Sequence, residues 1–416
     1  MTMVGGFIFL ALVFRFPKGI SLAVSSAAGA LVAGYGLPIR HLVEGSFTYL
    51  DPILIIATAM IFMKVIEGSG ALGTISRQII VGFHRRPMVL LWMVTLFVMF
   101  PGMFTGLTTA SVLTSGALIA PSLIHLGLPK DRAGALIAMA AIYGMVAPPI
   151  DLPAMIICGG VDMPYIGFEV PLLLATLPLA AVVPLWIAYR HLPPIELDSI
   201  RSNLPESYWK QYGLRLYFPL IVVVVLMLGI RLFPGVFPNL RVPLIFMIGS
   251  FVGLFSGRRI SLRHTISESI RDALPVMGIL VGIGMFIQIM TLTGVRGWLV
   301  VGTLGLPRVL TYLGIAVSVP VFGAVSAFGS ASVLGVPFLL ALLGHNEILT
   351  ASGLSLMASL GDLMPPVALA GFFAAQVVGE PNYFRVLRRC IMPALFTAVW
   401  AILLIAFATP IANIIL

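Results

Sequence analysis

Two short strings in this chain combine hydroxyl groups with backbone breakers at matched spacing. Thr109-Ala110-Ser111-Val112-Leu113 is answered 221 residues later by Ser330-Ala331-Ser332-Val333-Leu334. Each string is followed by an apolar run, a short polar loop, a second apolar run and a double proline, Pro148-Pro149 in one copy and Pro365-Pro366 in the other. A glycine, Gly144 or Gly361, stands four residues before each double proline. A Pro-Pro pair removes two N–H donors and turns the preceding residue away from helical geometry, so each apolar run is predicted to be a discontinuous helix. At such a break a helix C-terminus offers carbonyl oxygens to a cation, and a helix N-terminus offers N–H groups to an anion. Two breaks related by an internal repeat, near the membrane midplane, point to the binding site of a transporter.

The elements that must position these residues lie in a bilayer. Of 416 residues, 60% are hydrophobic and 9% charged, and the mean hydropathy is +1.10. A helical bundle in lipid, needing roughly 20 apolar residues per crossing, accommodates such a chain, whereas a soluble fold does not. With 42 Gly and 30 Pro, close helix packing and frequent breaks are expected. The net charge of +9 comes mostly from Lys and Arg in short loops, as topology signals do, and nucleic-acid binding is disfavoured. Cys158 and Cys390 lie in or beside apolar segments and read as buried structural thiols. The segment Met3 to Phe14 has neither a preceding basic region nor a following small-residue cleavage site, so it reads as a retained membrane segment at the start of the mature protein.

Along the chain, residues 1–190 form a first repeat with a re-entrant hairpin at 105–128 and a broken helix at 131–160. A polar linker, 191–215, carries Glu196, Asp198, Arg201, Glu206, Lys210 and Arg215, and 216–416 form a second repeat with a hairpin at 326–344 and a broken helix at 348–379. Phe62 to Gly70 aligns without gaps to Phe286 to Gly294, which sets Lys64 opposite Gln288. Lys64 and Glu67 either reach the headgroups or form a charge pair in the transport pathway. About six apolar spans per half can be counted by window length. An inverted repeat needs an odd number of crossings, so either one span in each half is interfacial or incomplete, or the linker holds a further crossing.

Hairpin, Pro-Pro break, linker, hairpin and Pro-Pro break in this order resemble the large membrane subunit of TRAP transporters, the tripartite ATP-independent periplasmic carriers of the ion transporter superfamily. The resemblance covers nearly the whole chain and is most specific at Gly106 to Ser111, Ala147 to Ile150, Gly329 to Val333 and Met364 to Val367. It implies an all-α integral membrane protein of the bacterial inner membrane, built as a two-fold inverted repeat with two re-entrant hairpins and two discontinuous helices. It implies elevator-type movement and sodium-coupled import of an organic anion such as a dicarboxylate or sugar acid. Partners would be a periplasmic substrate-binding protein and a small membrane subunit, and no cofactor beyond the coupling ion, Na+ or H+. Carried over by position, Thr109, Ala110 and Ser111 with Ala147 and Pro148 would form one sodium site. Ser330, Ala331 and Ser332 with Met364 and Pro365 would form the other. Thr108, Thr109, Gly329, Ser330, Pro149 and Pro366 would contact substrate. The plainer alternative is that these hydroxyls cap turns and let helices pack closely.

The chain departs from the family pattern at Ile150-Asp151 after the first Pro-Pro, at Met364 before the second, and at Asp362 after Gly361. Asp151 and Asp362 are therefore candidate cation ligands or proton carriers, against an interfacial or helix-capping role. Gln376 is a further possible substrate contact or a packing amide. No basic residue is visibly committed to a substrate carboxylate within either half-site. A stand-alone proton-coupled carboxylate symporter or cation/proton antiporter is the competing transporter. An ion channel would need a continuous polar path instead of two half-sites. An enzyme is disfavoured, because no paired nucleophile and base, His-Glu-x-x-His motif or Gly-Lys-Ser/Thr phosphate loop occurs, and His84 and His125 fall in loops or at helix ends.

Overall fold

A computed structural model describes residues 2–191, 204–233 and 240–415, and among them there is no β-strand. The linker charges Glu196, Asp198 and Arg201 lie outside the described residues. Among the described residues, six helices are long and apolar enough to cross a membrane: Ile39–Gly68, Pro87–Thr105, Glu169–His191, Trp209–Ile230, Leu262–Leu292 and Tyr383–Ala406.

The first half begins with α1 (Thr2–Leu12), α2 (Lys18–Val32), α3 (Ile39–Ser46) and α4 (Leu50–Gly68). Next come α5 (Ala71–Phe83) and α6 (Pro87–Thr105). A helix then runs from α7 (Thr108–Ser111) through a π-helical turn (Val112–Gly116) into α8 (Ala117–His125). The broken helix is α9 (Lys130–Val146) and α10 (Leu152–Gly160), followed by α11 (Glu169–Ala188). A short α12 (Trp209–Tyr212) opens the second half, with α13 (Phe218–Leu232), α14 (Val242–Leu254), α15 (Leu262–Leu292), α16 (Val295–Leu304) and α17 (Arg308–Gly323). There α18 (Ala327–Ser330), a π-helical turn (Ala331–Gly335) and α19 (Val336–Ala341) correspond to α7 and α8. The second broken helix is α20 (Glu347–Ser359), a 3-10 turn (Leu360–Leu363) and α21 (Leu369–Val378), and α22 (Tyr383–Ala406) and α23 (Ala408–Ile415) close the chain.

The segment expected to be a hairpin by itself, 105–128, is one returning arm. The chain reverses at Gly106, whose φ of 66° is left-handed, and the descending arm is α6, which window length alone makes a full span. In the second half α17 plays the same part. The two arms of the first hairpin touch through α7 and the π turn.

The register of the repeat also differs from the one the matching strings suggest. The returning arms start at Thr108 and Ala327, their π turns at Val112 and Ala331, and the helix-internal prolines are Pro101 and Pro320, all 219 residues apart. Ser111 therefore corresponds to Ser330, not to Ser332. A five-residue run of small residues can recur by chance, whereas proline and the turn fix backbone geometry. Upstream the expected alignment holds: Gly70 (φ 86°) and Gly294 (φ 72°) are both left-handed at the starts of α5 and α16.

Two bodies result. In the scaffold, α15 packs on α2, α3 and α4, and α14 packs on α4 and α13. In the bundle, α9 packs on α6 and α11 as α20 packs on α17 and α22, and each half-helix after a Pro-Pro crosses to the other repeat: α10 meets the second π turn and α21 the first. The inner helices α9 and α20 are buried on every face from Ala133 to Val146 and from Leu349 to Ser359. Their small residues, Gly134, Ala138, Ala141, Gly353 and Ala358 among them, let neighbouring backbones approach closely, which is where packing energy between helices in lipid comes from.

Candidate substrate and cation site

The glycine four residues before each double proline has a steric reason. A Cβ at Gly144 would overlap the Met99 backbone of α6, and one at Gly361 would overlap Gly323 at the end of α17. Each break is thus pressed against the descending arm of its own hairpin. The returning arms are held there by serine. Ser111 Oγ accepts from Gly102 N at 2.8 Å, and Ser330 Oγ donates to Val319 O at 2.5 Å, so each serine bonds a peptide next to the proline kink of its partner arm. Ser332 Oγ donates to Gly329 O at 3.0 Å within its own turn, and Ser326 Oγ caps the arm by accepting from Gly329 N at 3.1 Å. Both Pro-Pro peptide bonds are cis.

The first break is closed. Ala147, Pro148, Ile150 and Asp151 are buried, and Ile150 N donates to Met103 O of α6 at 3.1 Å. Asp151 is the N-cap of α10, where its Oδ1 accepts from Ala154 N at 3.1 Å, the capping role carboxylates fill by satisfying an orphan helix donor. Ser355 of α20 reaches both carboxylate oxygens, at 2.6 and 2.5 Å. Tyr165 Oη donates to Pro149 O at 3.3 Å and accepts from Asp151 N at 3.2 Å.

The second break is open. Pro365 and Pro366 are exposed, Met364 is half-buried, and the chain re-enters helix through Ala368 at a positive φ of 40°. Asp362, 7% exposed, accepts a hydrogen bond from Thr108 Oγ1 at 2.5 Å, which ties the first hairpin to the second break. It faces a cavity of about 720 Å³, in the size range of small-ligand pockets. Thr108, Thr109 and Ala110 from one hairpin and Ser326, Ala327 and Phe328 from the other share its wall. The scaffold completes it with Lys18, Lys64, Glu67, Arg271 and Asp272 among apolar side chains such as Met60, Met63 and Ile279.

Of the residues expected to touch substrate, Thr108 and Thr109 are on this wall, whereas Pro149, Gly329, Ser330 and Pro366 are not. Gln376 is exposed and off the wall as well. Lys64 and Glu67 do line the cavity, and Lys64 Nζ is paired with Glu67 at 3.7 Å, Glu268 at 3.0 Å and Asp272 at 3.3 Å. The repeat-related Gln288 lies against Glu44, so one repeat keeps a neutral version of this contact. Basic residues reach the cavity from the scaffold, outside the two half-sites: Lys18 and Arg271 stand on its wall. Lys18 follows a proline in what reads as a loop, and Arg271 sits in a charged stretch, so only the pairing of α2 with α15 brings them together.

A family model described as tripartite ATP-independent periplasmic transporter, DctM component, matches residues 5–411. The chain belongs to this family. It is the large permease component of a secondary transporter, a multi-pass protein of the bacterial inner membrane and not an enzyme. Membership in a tripartite system implies association with a small membrane subunit and a periplasmic binding protein. Among solved structures, the YdaH transporter of Alcanivorax borkumensis is similar, with 16% identity, a TM-score of 0.60, and coverage of 89% of this chain and 88% of that one. That likeness concerns the fold of the permease alone. A search of curated proteins gives no significant match.

Proposed function

We propose that this permease couples the inward movement of sodium to the uptake of a small organic anion, within the range of dicarboxylates and sugar acids, delivered by the binding protein. The observation that carries this reading is the cavity whose wall is shared by both hairpin turns, Asp362 and the scaffold cations Lys18 and Arg271. An apolar pocket with a few convergent charges is the usual form of a small-ligand site.

Sodium sites are proposed at the two hairpin turns: Thr109, Ala110 and Ser111 with Ala147 and Pro148, and Ser330, Ala331 and Ser332 with Met364 and Pro365. Hydroxyls and backbone carbonyls freed at helix breaks supply hard oxygen ligands without a full counter-charge. The bundle of α6 to α11 and α17 to α22 is proposed to move as one body against the scaffold, elevator-fashion. Its contact with the scaffold includes an apolar seam, Phe104 edge-on to Phe62 and Phe246, and the hydrogen bonds of Tyr49 and Arg296 to α10, which would be released in the movement.

The test is uptake by liposomes containing the permease and its small membrane subunit, with binding protein supplied. An inward sodium gradient should drive accumulation of a carboxylate, and a potassium gradient of equal size should not. Proton coupling is the second reading, favoured by the burial of Asp151 and Asp362. Uptake that ignores sodium but follows a pH gradient would replace the first reading with it.

A further inference from the structure

The charges on the cavity wall are not interchangeable. Lys64 is engaged by Glu67, Glu268 and Asp272, so that ammonium is shared among three carboxylates, and Glu67 Oε2 is buried without a hydrogen bond among the described residues. Lys18 and Arg271 have no ion-pair partner within 4.0 Å among the described residues. Asp362 takes one hydrogen bond, from Thr108 on Oδ2, and lies within electrostatic reach of Lys18 without closing an ion pair, while Oδ1 takes no hydrogen bond among the described residues. Outside the Lys64 cluster, the apolar-walled cavity holds two cations on the scaffold and one carboxylate on the bundle, none of them closed into an ion pair among the described residues.

We infer that the cavity selects an acid that also carries a hydrogen-bond donor, a hydroxyl or ammonium group, and that Asp362 makes this selection by meeting the donor end while Lys18 and Arg271 meet the carboxylate. The inference rests on the organic-anion reading and narrows it. A plain dicarboxylate would bring its second carboxylate toward Asp362, and like charges in a site with low-dielectric walls repel strongly. A hydroxyl or ammonium at the same place gives Oδ1 a charge-assisted hydrogen bond. Specificity of this kind comes as much from the rejected partner as from the favoured one.

Three acids with six-carbon chains separate the possibilities: gluconate with hydroxyls, 6-aminohexanoate with a terminal ammonium, and adipate with a second carboxylate. Each is titrated against the detergent-solubilised permease in sodium buffer, with the apparent melting temperature as readout, since a ligand of the native state raises it with concentration. Gluconate or 6-aminohexanoate should stabilise at a concentration at least about tenfold below that required of adipate, because a site built around a donor discriminates against ligands lacking it. Asp362→Asn, whose amide can donate to a carboxylate, should erase or reverse that ratio, and Lys18→Gln should weaken all three acids together. Asp362→Ser serves as the second variant should the amide destabilise the protein. Adipate binding as well as the other two in the wild type, or a ratio unchanged in both Asp362 variants, would overturn the inference and leave the organic-anion reading standing. Failure of all three acids to bind the wild type would overturn both.

Discussion

The two Pro-Pro breaks occupy equivalent places in the repeat and are finished in opposite ways. The first is sealed: Asp151 caps α10 and is held by Ser355, and the C-terminal end of α10 is tied to the scaffold by Tyr49 Oη, which donates to Ile156 O at 3.0 Å, and by Arg296, which donates to Gly160 O at 2.5 Å. The second is open: Asp362 faces the cavity, Pro365 and Pro366 are exposed, and the end of α21 is held from within the bundle, where Lys130 donates to Gly379 O at 3.1 Å. Both breaks carry an aspartate. One aspartate spends its lone pairs on the fold and the other keeps an oxygen for a ligand. A residue's type and its place in a repeat do not assign its role; its remaining hydrogen-bonding capacity does.

The largest expected effect falls on what the two breaks share. Gly144→Leu and Gly361→Leu drive a side chain into backbone at the hairpin arm, where no flexible group can yield, and each should cost about 3 kcal/mol or more. Loss of monodisperse protein is the readout, with Gly297→Leu, which meets nothing within 4 Å, as the tolerated control. Equal loss at both positions would confirm that the halves are built alike.

The next effect should separate the halves. Ser355→Ala removes the side-chain partner that Asp151 has inside the bundle, and about 1–3 kcal/mol of stability is expected to go with it. Thr108→Val removes the corresponding partner of Asp362 at a cavity wall, where water can replace it, and should cost less than about 1 kcal/mol. Thermal unfolding of the two variants side by side checks the order. A larger loss for Thr108→Val would mean that the second break is the closed one.

Much of this was legible in the sequence. The double prolines and their leading glycines mark both helix breaks because proline and glycine act on the backbone locally. The alignment of Gly70 with Gly294 survives for the same reason. The register of the hairpins was misread because the strings around Ser111 and Ser332 match by residue type, while the kinks at Pro101 and Pro320, equally visible, lie inside runs that read as uninterrupted spans. The cavity cations were not legible, since Lys18 and Arg271 are 253 residues apart in the sequence. The asymmetry of the breaks was hidden too: whether a buried aspartate caps a helix or faces a cavity depends on Ser355 and Thr108 arriving from the other repeat.

Smaller effects sharpen the contrast at the half-helix ends. Arg296→Gln and Lys130→Gln each weaken a cation at a helix C-terminus, a contact worth typically 0.3–1 kcal/mol. Because Arg296 joins α10 to α16, the helix that follows scaffold helix α15 and packs on it, and Lys130 stays within the bundle, only Arg296→Gln should alter the rate of sodium-driven uptake by more than about twofold. Equal rates for both variants would remove the distinction between the two anchors.

The most direct test compares Asp151→Asn with Asp362→Asn in sodium-driven uptake of a hydroxyl- or ammonium-bearing acid. Asparagine caps a helix about as well as aspartate, so Asp151→Asn should keep most of the wild-type rate, whereas Asp362→Asn should lose at least about tenfold through the missing charge at the donor end. Uptake abolished by Asp151→Asn and unaffected by Asp362→Asn would contradict the division of labour between the two breaks.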